Sequence, residues 1–364
     1  MTDAARGPDD ARIARIEDLV AFLCSPGCAG RAPGTPGSLL ARQRLVQELE
    51  RAGVEPAGDD GWLQEVPGCG HNVIGRVPGS GPLAGRALVV GAHYDHLGAA
   101  AHGQAYRGAD DNAAAVAILV ELARALGRGP VAGRQVILAL FDGEEPPHFL
   151  TGTMGSMRWV ARPCVPLETI DQMVCMDLVG HALGPDAFPE QVRRSLFVLG
   201  AERSQGTDAL VEACAARAQG VTPRRLGMDV VPPLSDYYSF EEAGVASLFL
   251  TCGRWEHYHQ VTDTPDRLDL PKIAATATFL EDLTRTLAAR PDAPVRHDPA
   301  RRDDLATIRS LQTIGRLLAP LVPPVSAALA PLDALEAAAA RGPLDASART
   351  QVRILVGQLE ALLA

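Results

Sequence analysis

An apolar run that ends in a cluster of acids restricts the fold of this chain more than any other stretch. The run Gln135–Phe141 is apolar enough for a buried strand, and Asp142-Gly143-Glu144-Glu145 follows it directly. Carboxylates at the end of a core strand are costly unless a metal ion or a proton partner compensates their charge. Because neighbouring side chains on an extended chain point to opposite sides, one glutamate can bind a metal while the other faces water or substrate. In isolation the same pair would also fit a solvated acidic turn.

Other apolar runs end in the same way. Ala87–Ala92 is followed by His93, the run Gln172–Asp177 itself ends in an acid, and Ala246–Thr251 precedes a segment that contains His257-Tyr258-His259. Helical patterns separate these runs, and this alternation predicts an α/β fold with a largely parallel sheet. Since ligands bind beyond the carboxyl ends of the strands in such sheets, we expect these polar residues to converge on one site.

Composition excludes several classes of function. The chain has 364 residues and a formal net charge of −10, so a nucleic-acid partner is not expected. The segment Met1–Arg12 is polar and has no apolar region typical of a secretory signal, and seven scattered cysteines suit free thiols in a reducing compartment. The apolar stretch Leu317–Leu332 is interrupted by prolines and too short to span a membrane. We therefore predict a cytoplasmic protein with no membrane segment.

The chain is predicted to divide into a catalytic domain, residues 1–292, and a helical C-terminal extension, residues 293–364. A Pro- and Arg-rich linker, Pro291–Ala300, marks the boundary. Helical patterns follow over Asp303–Leu318, Val325–Arg341 and Asp345–Leu363, and none of them contains His or Cys. The extension is expected to pack on the body of the protein or on a second copy of the chain in a homo-oligomer.

Two histidines and three carboxylates make a ligand set for two divalent ions that share a bridging carboxylate and a bridging water or hydroxide. The candidate ligands are His93, Asp111, Glu145, Asp177 and His259. Imidazole combined with carboxylate favours zinc. Asp95 follows His93 by two residues and is placed to orient the imidazole, while Glu144 is placed to act as general base.

Several of these assignments have neighbours of the same chemical type. From the residues alone the alternatives are His96 for His93, Asp110 for Asp111, and His257 for His259. The remaining histidines are interpreted as supporting groups near the site or as solvated surface residues, namely His148, His181, His71, His102 and His297.

The order of motifs resembles the co-catalytic di-zinc aminopeptidase family, which also contains the animal-type glutaminyl cyclases. The resemblance extends over about residues 15–290. It rests on the following motifs: Gly30-Arg31-Ala32-Pro33-Gly34-Thr35-Pro36-Gly37, Asn72-Val73-Ile74, His93-x-Asp95, Gly108-Ala109-Asp110-Asp111-Asn112, Glu144-Glu145, Met176-Asp177, Ser235-Asp236, Tyr258-His259 and Asp263-Thr264.

The resemblance implies a three-layer α/β sandwich whose mixed, largely parallel sheet has eight strands between helices. It also implies that His93 and Asp177 hold one zinc ion, that Glu145 and His259 hold the other, and that Asp111 bridges the two. Glu144 would be the general base, and Tyr258 matches a tyrosine that stabilises the developing oxyanion in some members. The implied reaction is hydrolysis of the N-terminal peptide bond of a peptide with a free amino terminus.

Two departures from the family pattern concern substrate choice. Relatives usually have histidine where Tyr237 stands and proline where Ser239 stands, in a segment that shapes the substrate pocket. The spacing from Glu144-Glu145 to Gly155-Ser156 resembles the cyclase branch. A glutaminyl cyclase that forms N-terminal pyroglutamate is therefore the first alternative, and a non-catalytic binding protein on the same fold is the second.

Overall fold

The computed structural model describes residues 8–101 and 103–364. The start of the polar N-terminal segment, Met1–Gly7, and His102 lie outside the described residues. All seven cysteines lie in the described part, and each carries a free thiol. None of the described helices combines the length and the apolar character that crossing a bilayer would require.

In the described part of the chain, nine strands form one sheet and two further short strands pair with each other. In chain order the strands are β1 (Glu55–Pro56), β2 (Leu63–Val66), β3 (Gly70–Val77), β4 (Gly79–Ser80), β5 (Ala87–His93), β6 (Val131–Ala132), β7 (Gln135–Phe141), β8 (Ile170–Met176), β9 (Ser195–Leu199), β10 (Thr222–Leu226) and β11 (Ser247–Thr251).

The main sheet is mixed and largely parallel, as predicted. Its strand order is β1-β3-β7-β5-β8-β11-β9-β10, and the four central neighbours β7, β5, β8 and β11 run parallel. The expectation of eight strands differs from the observed nine because β1 and β2 both pair with β3, at different points along it. The sheet is therefore eight positions wide, and its parallel centre presents four strand carboxyl ends at one edge.

Helices cover both faces of the sheet. In chain order they are α1 (Pro8–Leu23), α2 (Pro36–Ala52), α3 (Ala114–Leu126), α4 (Gly155–Ala161), α5 (Glu190–Arg193), α6 (Thr207–Arg217), α7 (Tyr237–Glu242), α8 (Leu270–Ala289), α9 (Asp304–Leu318), α10 (Pro323–Ala339) and α11 (Ala346–Leu363). Every residue of β5, β8, β9 and β11 is buried. Strands that are apolar and buried on both sides need a layer of helices on each face, which makes the domain a three-layer sandwich.

The helices divide into two packed groups. α3 contacts α1, α2 and α8 and lies against β5, whereas α4 and α7 contact each other and lie against β3 and β11 respectively. Both ends of α2 are capped: the Thr35 side chain accepts a hydrogen bond from Ser38 N, and Gly53 ends the helix with a φ of 78°.

The C-terminal extension folds as the three predicted helices. Ile314, Leu318 and Leu363 join the main core, while α9, α10 and α11 also share a second, smaller apolar cluster that includes Leu311 and Leu335. α9 packs along β10 at the edge of the sheet. The division at residues 292/293 and self-association through these helices stay predictions.

Candidate metal centre

The predicted site residues lie together at the carboxyl edge of the four central parallel strands. His93 is the last residue of β5, Glu144-Glu145 follows β7, Asp177 follows β8, and His259 lies in the segment after β11. Because these four strands are immediate neighbours, their ends bring together residues that are more than 160 positions apart in the chain. This is the convergence that the strand ends predicted.

The first ligand set consists of His93, Asp111 and Asp177. The His93 Nε2 atom lies 3.4 Å from Asp111 Oδ1 and 3.5 Å from Asp177 Oδ1. All three side chains are buried, and their ligand atoms are close enough to one another to hold a single ion. The geometry therefore supports one cation site between β5 and β8.

The second ligand set is built around Glu145. His259 Nε2 lies 3.2 Å from Asp111 Oδ2 and 3.0 Å from Glu145 Oε2. On the other side, His96 Nδ1 lies 2.7 Å from Glu145 Oε1 and 3.9 Å from Asp111 Oδ2. His96, considered from the sequence only as a substitute for His93, thus lies in this second set while His93 occupies the first.

The chemistry of these donors fits divalent cations. Among the described residues, His93 Nε2, Asp111 Oδ2, Asp177 Oδ1 and His96 Nε2 are buried without a hydrogen-bond partner. Burying carboxylate oxygens that accept no hydrogen bond is expensive, and a shared dication would compensate several of them at once. Asp111 faces both sets, one with each carboxylate oxygen, so it is placed to bridge two ions.

The acids also change the charge state of the histidines. Burial alone would lower the pKa of His93, but the carboxylates of Glu144 and Asp177 outweigh this effect and raise the pKa well above the ordinary value. Burial likewise acts to lower the pKa of His259, but Asp111 and Glu145 raise it to about 10. Without a cation the acids therefore favour the protonated forms of His93 and His259, and a metal would have to displace those protons.

The turn before α3 explains why Asp111, and not Asp110, faces the ligand sets. This turn, Ala109–Ala113, is a π-helical segment in which Asp111 has non-helical backbone angles. The Asp110 carboxylate points away, accepting a hydrogen bond from Gly180 N at 2.5 Å and contacting His181 Nδ1 at 2.6 Å. Asp263 accepts hydrogen bonds from the backbone N–H groups of both Asp110 and Asp111, and so fixes the turn.

Asp95 contacts both the His93 imidazole and the two glutamates. β5 ends at His93, so the strand geometry does not continue to Asp95, and His93 Nδ1 is nearer to the Asp95 carbonyl oxygen (3.3 Å) than to its carboxylate (3.6 Å). The carboxylate instead accepts hydrogen bonds from Glu144 N at 3.1 Å and Glu145 N at 3.2 Å. Asp95 therefore orients the two glutamates as well as contacting the imidazole.

Glu144 lies beside the first ligand set without belonging to it. Its Oε2 atom is 3.7 Å from His93 Nε2. Burial raises the pKa of Glu144 well above its ordinary value; His93 opposes the shift, and Asp177 reinforces it. A bound dication would favour the ionised form, because nearby positive charge stabilises a carboxylate.

The structure also gives the contacts of Tyr258 and of the remaining candidate histidines. The Tyr258 ring stacks on the His259 ring with centroids 3.9 Å apart. His257 contacts Thr262 and Glu256 rather than the ligand sets. His148 contacts Thr153, and His181 stacks on Trp255 behind Asp110. His71 and His297 are not among the residues that form the two ligand sets.

Comparison with known proteins identifies the family of this chain. A sequence model of peptidase family M28 matches residues 72–284, more than half of the chain. This chain belongs to peptidase family M28.

Relatives and solved structures span two kinds of activity. The uncharacterized protein YfbL of Escherichia coli K12 is 30% identical over 231 residues, covering 58% of this chain and 70% of that protein. A glutaminyl-peptide cyclotransferase from Boiga irregularis is 26% identical over 281 residues, covering 69% and 76%. The solved aminopeptidase from Aneurinibacillus sp. strain AM-1 has a TM-score of 0.58 at 14% identity, covers 80% of this chain and 98% of that chain, and shares the fold.

The sequence analysis did not single out one buried arginine of this M28 chain. Arg31 is fully buried, and its guanidinium donates hydrogen bonds to four backbone carbonyl oxygens, those of Leu23, Tyr94, Arg107 and Gly108. Tyr94 follows His93, and Gly108 precedes the turn that carries Asp111. The Gly30–Gly37 motif contained this residue, but only the tertiary structure reveals which segments it joins.

Proposed function

We propose that this M28 chain is a zinc-dependent aminopeptidase that removes the N-terminal residue of peptides with a free amino terminus. The observation that carries the proposal is the sharing of Asp111 between two ligand sets, one with His93 and Asp177 and the other with Glu145 and His259. Imidazole nitrogens combined with carboxylate oxygens favour zinc over magnesium or calcium. Two adjoining sets with a common carboxylate fit two ions better than one.

Two zinc ions in these sets would supply Lewis-acid activation of a water molecule and of the scissile carbonyl group. The protein's own acid–base group is Glu144, which is held beside the ligand sets and oriented through its backbone N–H by Asp95. Its carboxylate accepts a proton from the attacking water and returns it to the leaving amine. The Tyr258 hydroxyl is the proposed hydrogen-bond donor to the developing oxyanion.

Two buried acids at the site give it a place for a free α-amine. Glu144 and Asp177 are buried acids, and a protonated amine beside them would replace part of the solvation that they lose. A peptide with an acetylated N-terminus lacks that charge. We therefore expect a blocked peptide to be a poor substrate.

A glutaminyl cyclase is the second candidate. It is supported by the similarity to the Boiga irregularis glutaminyl-peptide cyclotransferase and by the cyclase-like spacing between Glu144-Glu145 and Gly155-Ser156. In that reaction the substrate's own α-amine attacks its glutamine side-chain amide and releases ammonia. Asp236, a buried acid whose pKa burial raises to about 7, adds a further proton-holding group beside the site.

The two candidates are separated by measuring metal content, anilide hydrolysis and ammonia release on the same purified sample. Two zinc ions per chain with release of a free N-terminal residue would support the aminopeptidase. One zinc ion with ammonia release from N-terminal glutamine would refute it in favour of the cyclase. A protein without metal and without either activity would indicate a binding role.

Paired glutamate substitutions test the separate roles of the two neighbours. Glu144→Gln should retain both metals and lose roughly 10²–10⁴-fold in kcat, because the general base is removed. Glu145→Gln should weaken metal binding, since this carboxylate belongs to the second ligand set. Unchanged turnover in Glu144→Gln would rule out the proposed base.

The cytoplasmic location of this protein stays a prediction of the sequence.

A further inference from the structure

An apolar cavity opens beside the metal centre. Asp177 and Tyr258 line it on the side of the ligand sets, and the aromatic rings of Phe197 and Phe249, from β9 and β11, line it within the body of the protein. The cavity volume is about 80 Å³, which is enough for several water-sized groups, and most of the residues that line it are apolar. A mainly apolar lining with a few polar groups is typical of a pocket that receives part of a small ligand. We name it the side-chain pocket.

The C-terminal extension supplies the opposite wall of the side-chain pocket. Val356, Leu359 and Leu363 of α11 and Leu311 of α9 line it. Leu363 is buried and belongs to the main core, whereas Val356 and Leu359 are half-buried at the pocket surface. Removing this wall would leave the aromatic residues of β9 and β11 exposed to solvent next to the metal centre.

Polar contacts hold α11 against the two segments that carry metal-ligand candidates. Glu360 accepts hydrogen bonds at 3.1 Å from the backbone N–H and from the guanidinium of Arg254, which lies five positions before His259 in the chain. The Leu363 carbonyl accepts a hydrogen bond from Gly184 N at 2.8 Å, in the segment that follows Asp177. α11 is therefore attached to both of these segments.

We propose that α11 is part of the substrate site and that the side-chain pocket receives a bulky aliphatic or aromatic side chain of the N-terminal residue of the substrate. This proposal rests on the proposed aminopeptidase function for the placement of the scissile bond. The occupant follows from position and chemistry, because Asp177 and Tyr258 lie at the metal end of the pocket and most of the other lining residues, apart from Thr251 and the paired Arg254 and Glu360, are apolar. Val356 and Leu359 are then specificity-determining residues contributed by the extension.

The test measures ligand binding apart from catalysis. Zinc-loaded protein is titrated calorimetrically with L-leucinol and L-alaninol, which carry a free amine but cannot be hydrolysed. One methylene in an apolar pocket changes recognition roughly 10-fold or more, and leucinol has three more side-chain carbons than alaninol, so leucinol should bind well over about 10-fold more tightly. Equal binding of the two, or binding of neither, would overturn the pocket.

A pair of matched variants assigns the effect to α11. Val356→Trp should fill the pocket, weakening leucinol binding about 10-fold while changing alaninol binding less than about 2-fold. Ile354→Trp is the control, because Ile354 lies on the same helix but its side chain is 55% exposed and does not line the pocket. An unchanged ratio of the two affinities in Val356→Trp would refute the role of α11.

Leu359→Ala provides a second test if Val356→Trp does not fold. It enlarges the pocket and should shift the preference from leucinol towards the larger L-phenylalaninol. Parallel kcat/KM values for leucine and alanine anilides separate this proposal from the proposed function. Leucinol discrimination without anilide hydrolysis would contradict only the aminopeptidase activity, whereas hydrolysis without side-chain discrimination would contradict only the pocket.

Discussion

Replacing Arg31 with lysine should destabilise the protein and loosen the metal centre together. The Arg31 guanidinium donates to four backbone carbonyl oxygens at distances of 2.6–3.0 Å, joining the end of α1, the segment after His93 and the segment before Asp111. All of these contacts except the one to Arg107 are fully buried. Lysine keeps the positive charge but has a single ammonium group, which cannot reach acceptors arranged around a planar fork. Arg31→Lys therefore isolates the loss of hydrogen bonds from the loss of charge.

The size of the effect follows from the number of bonds. A hydrogen bond from a charged donor contributes about 1.5–3 kcal/mol, and a buried carbonyl left without a partner costs about 1–3 kcal/mol. If lysine satisfies one or two of the four carbonyls, we expect a loss of roughly 3–5 kcal/mol, a large part of the stability of a typical domain. Arg31 has a φ of 51°, but lysine is subject to the same backbone restriction, so strain does not change.

Two measurements check this expectation. The free energy of unfolding is obtained from denaturant titration of the zinc-loaded protein, and zinc retention is measured after dialysis against a weak chelator. Arg76→Lys is the control, because Arg76 forms a half-exposed ion pair with Glu55 and should change stability by less than about 0.5 kcal/mol. A loss below about 1 kcal/mol in Arg31→Lys, with zinc fully retained, would refute the reasoning.

Two further substitutions test other parts of the argument. Asp95→Asn replaces one of the two oxygens that accept the N–H groups of Glu144 and Glu145, so zinc affinity should fall roughly 10–100-fold. The control is Asp186→Asn, at a side chain that is 95% exposed, which should leave zinc affinity unchanged. If competition with a chelator gave Asp95→Asn the same zinc affinity as the unchanged protein, this role of Asp95 would be contradicted. Burial raises the pKa of Glu241 from 4.5 to about 7, so the folded state favours the neutral acid and stability declines as pH rises from about 4.5 to 7. Glu241→Gln should therefore raise the free energy of unfolding by roughly 1–3 kcal/mol at pH 8 and change it little at pH 4. An equal increase in the free energy of unfolding at both pH values would argue against a buried carboxyl group.

Local patterns were sufficient for the central strands and most helices. The apolar run Gln135–Phe141 is a strand with the predicted bounds, and the strand predicted over Ala87–Ala92 extends by one residue to His93, because burial on both faces leaves a continuous apolar signal. The strands that were not predicted, such as β10 (Thr222–Leu226) and β2 (Leu63–Val66), are polar or half-exposed. Such segments become strands because a neighbouring strand offers a hydrogen-bonding edge, and that neighbour is distant in sequence.

The sequence by itself determined the chemical types at the site and the strand ends that carry them. It predicted an α/β fold in which histidines and acids converge, since the succession of apolar runs along the chain and their periodicity are local properties. Only the tertiary structure decided which member of each neighbouring pair faces the centre. Asp111 and not Asp110 does so because Asp263 holds the turn, and His96 joins Glu145 because two loops meet there. The tertiary structure also decided the position of α11 beside the pocket, because it depends on the contact between Arg254 and Glu360, which are more than 100 positions apart. Orientation to within an ångström depends on contacts between distant segments, and residue order alone does not contain it.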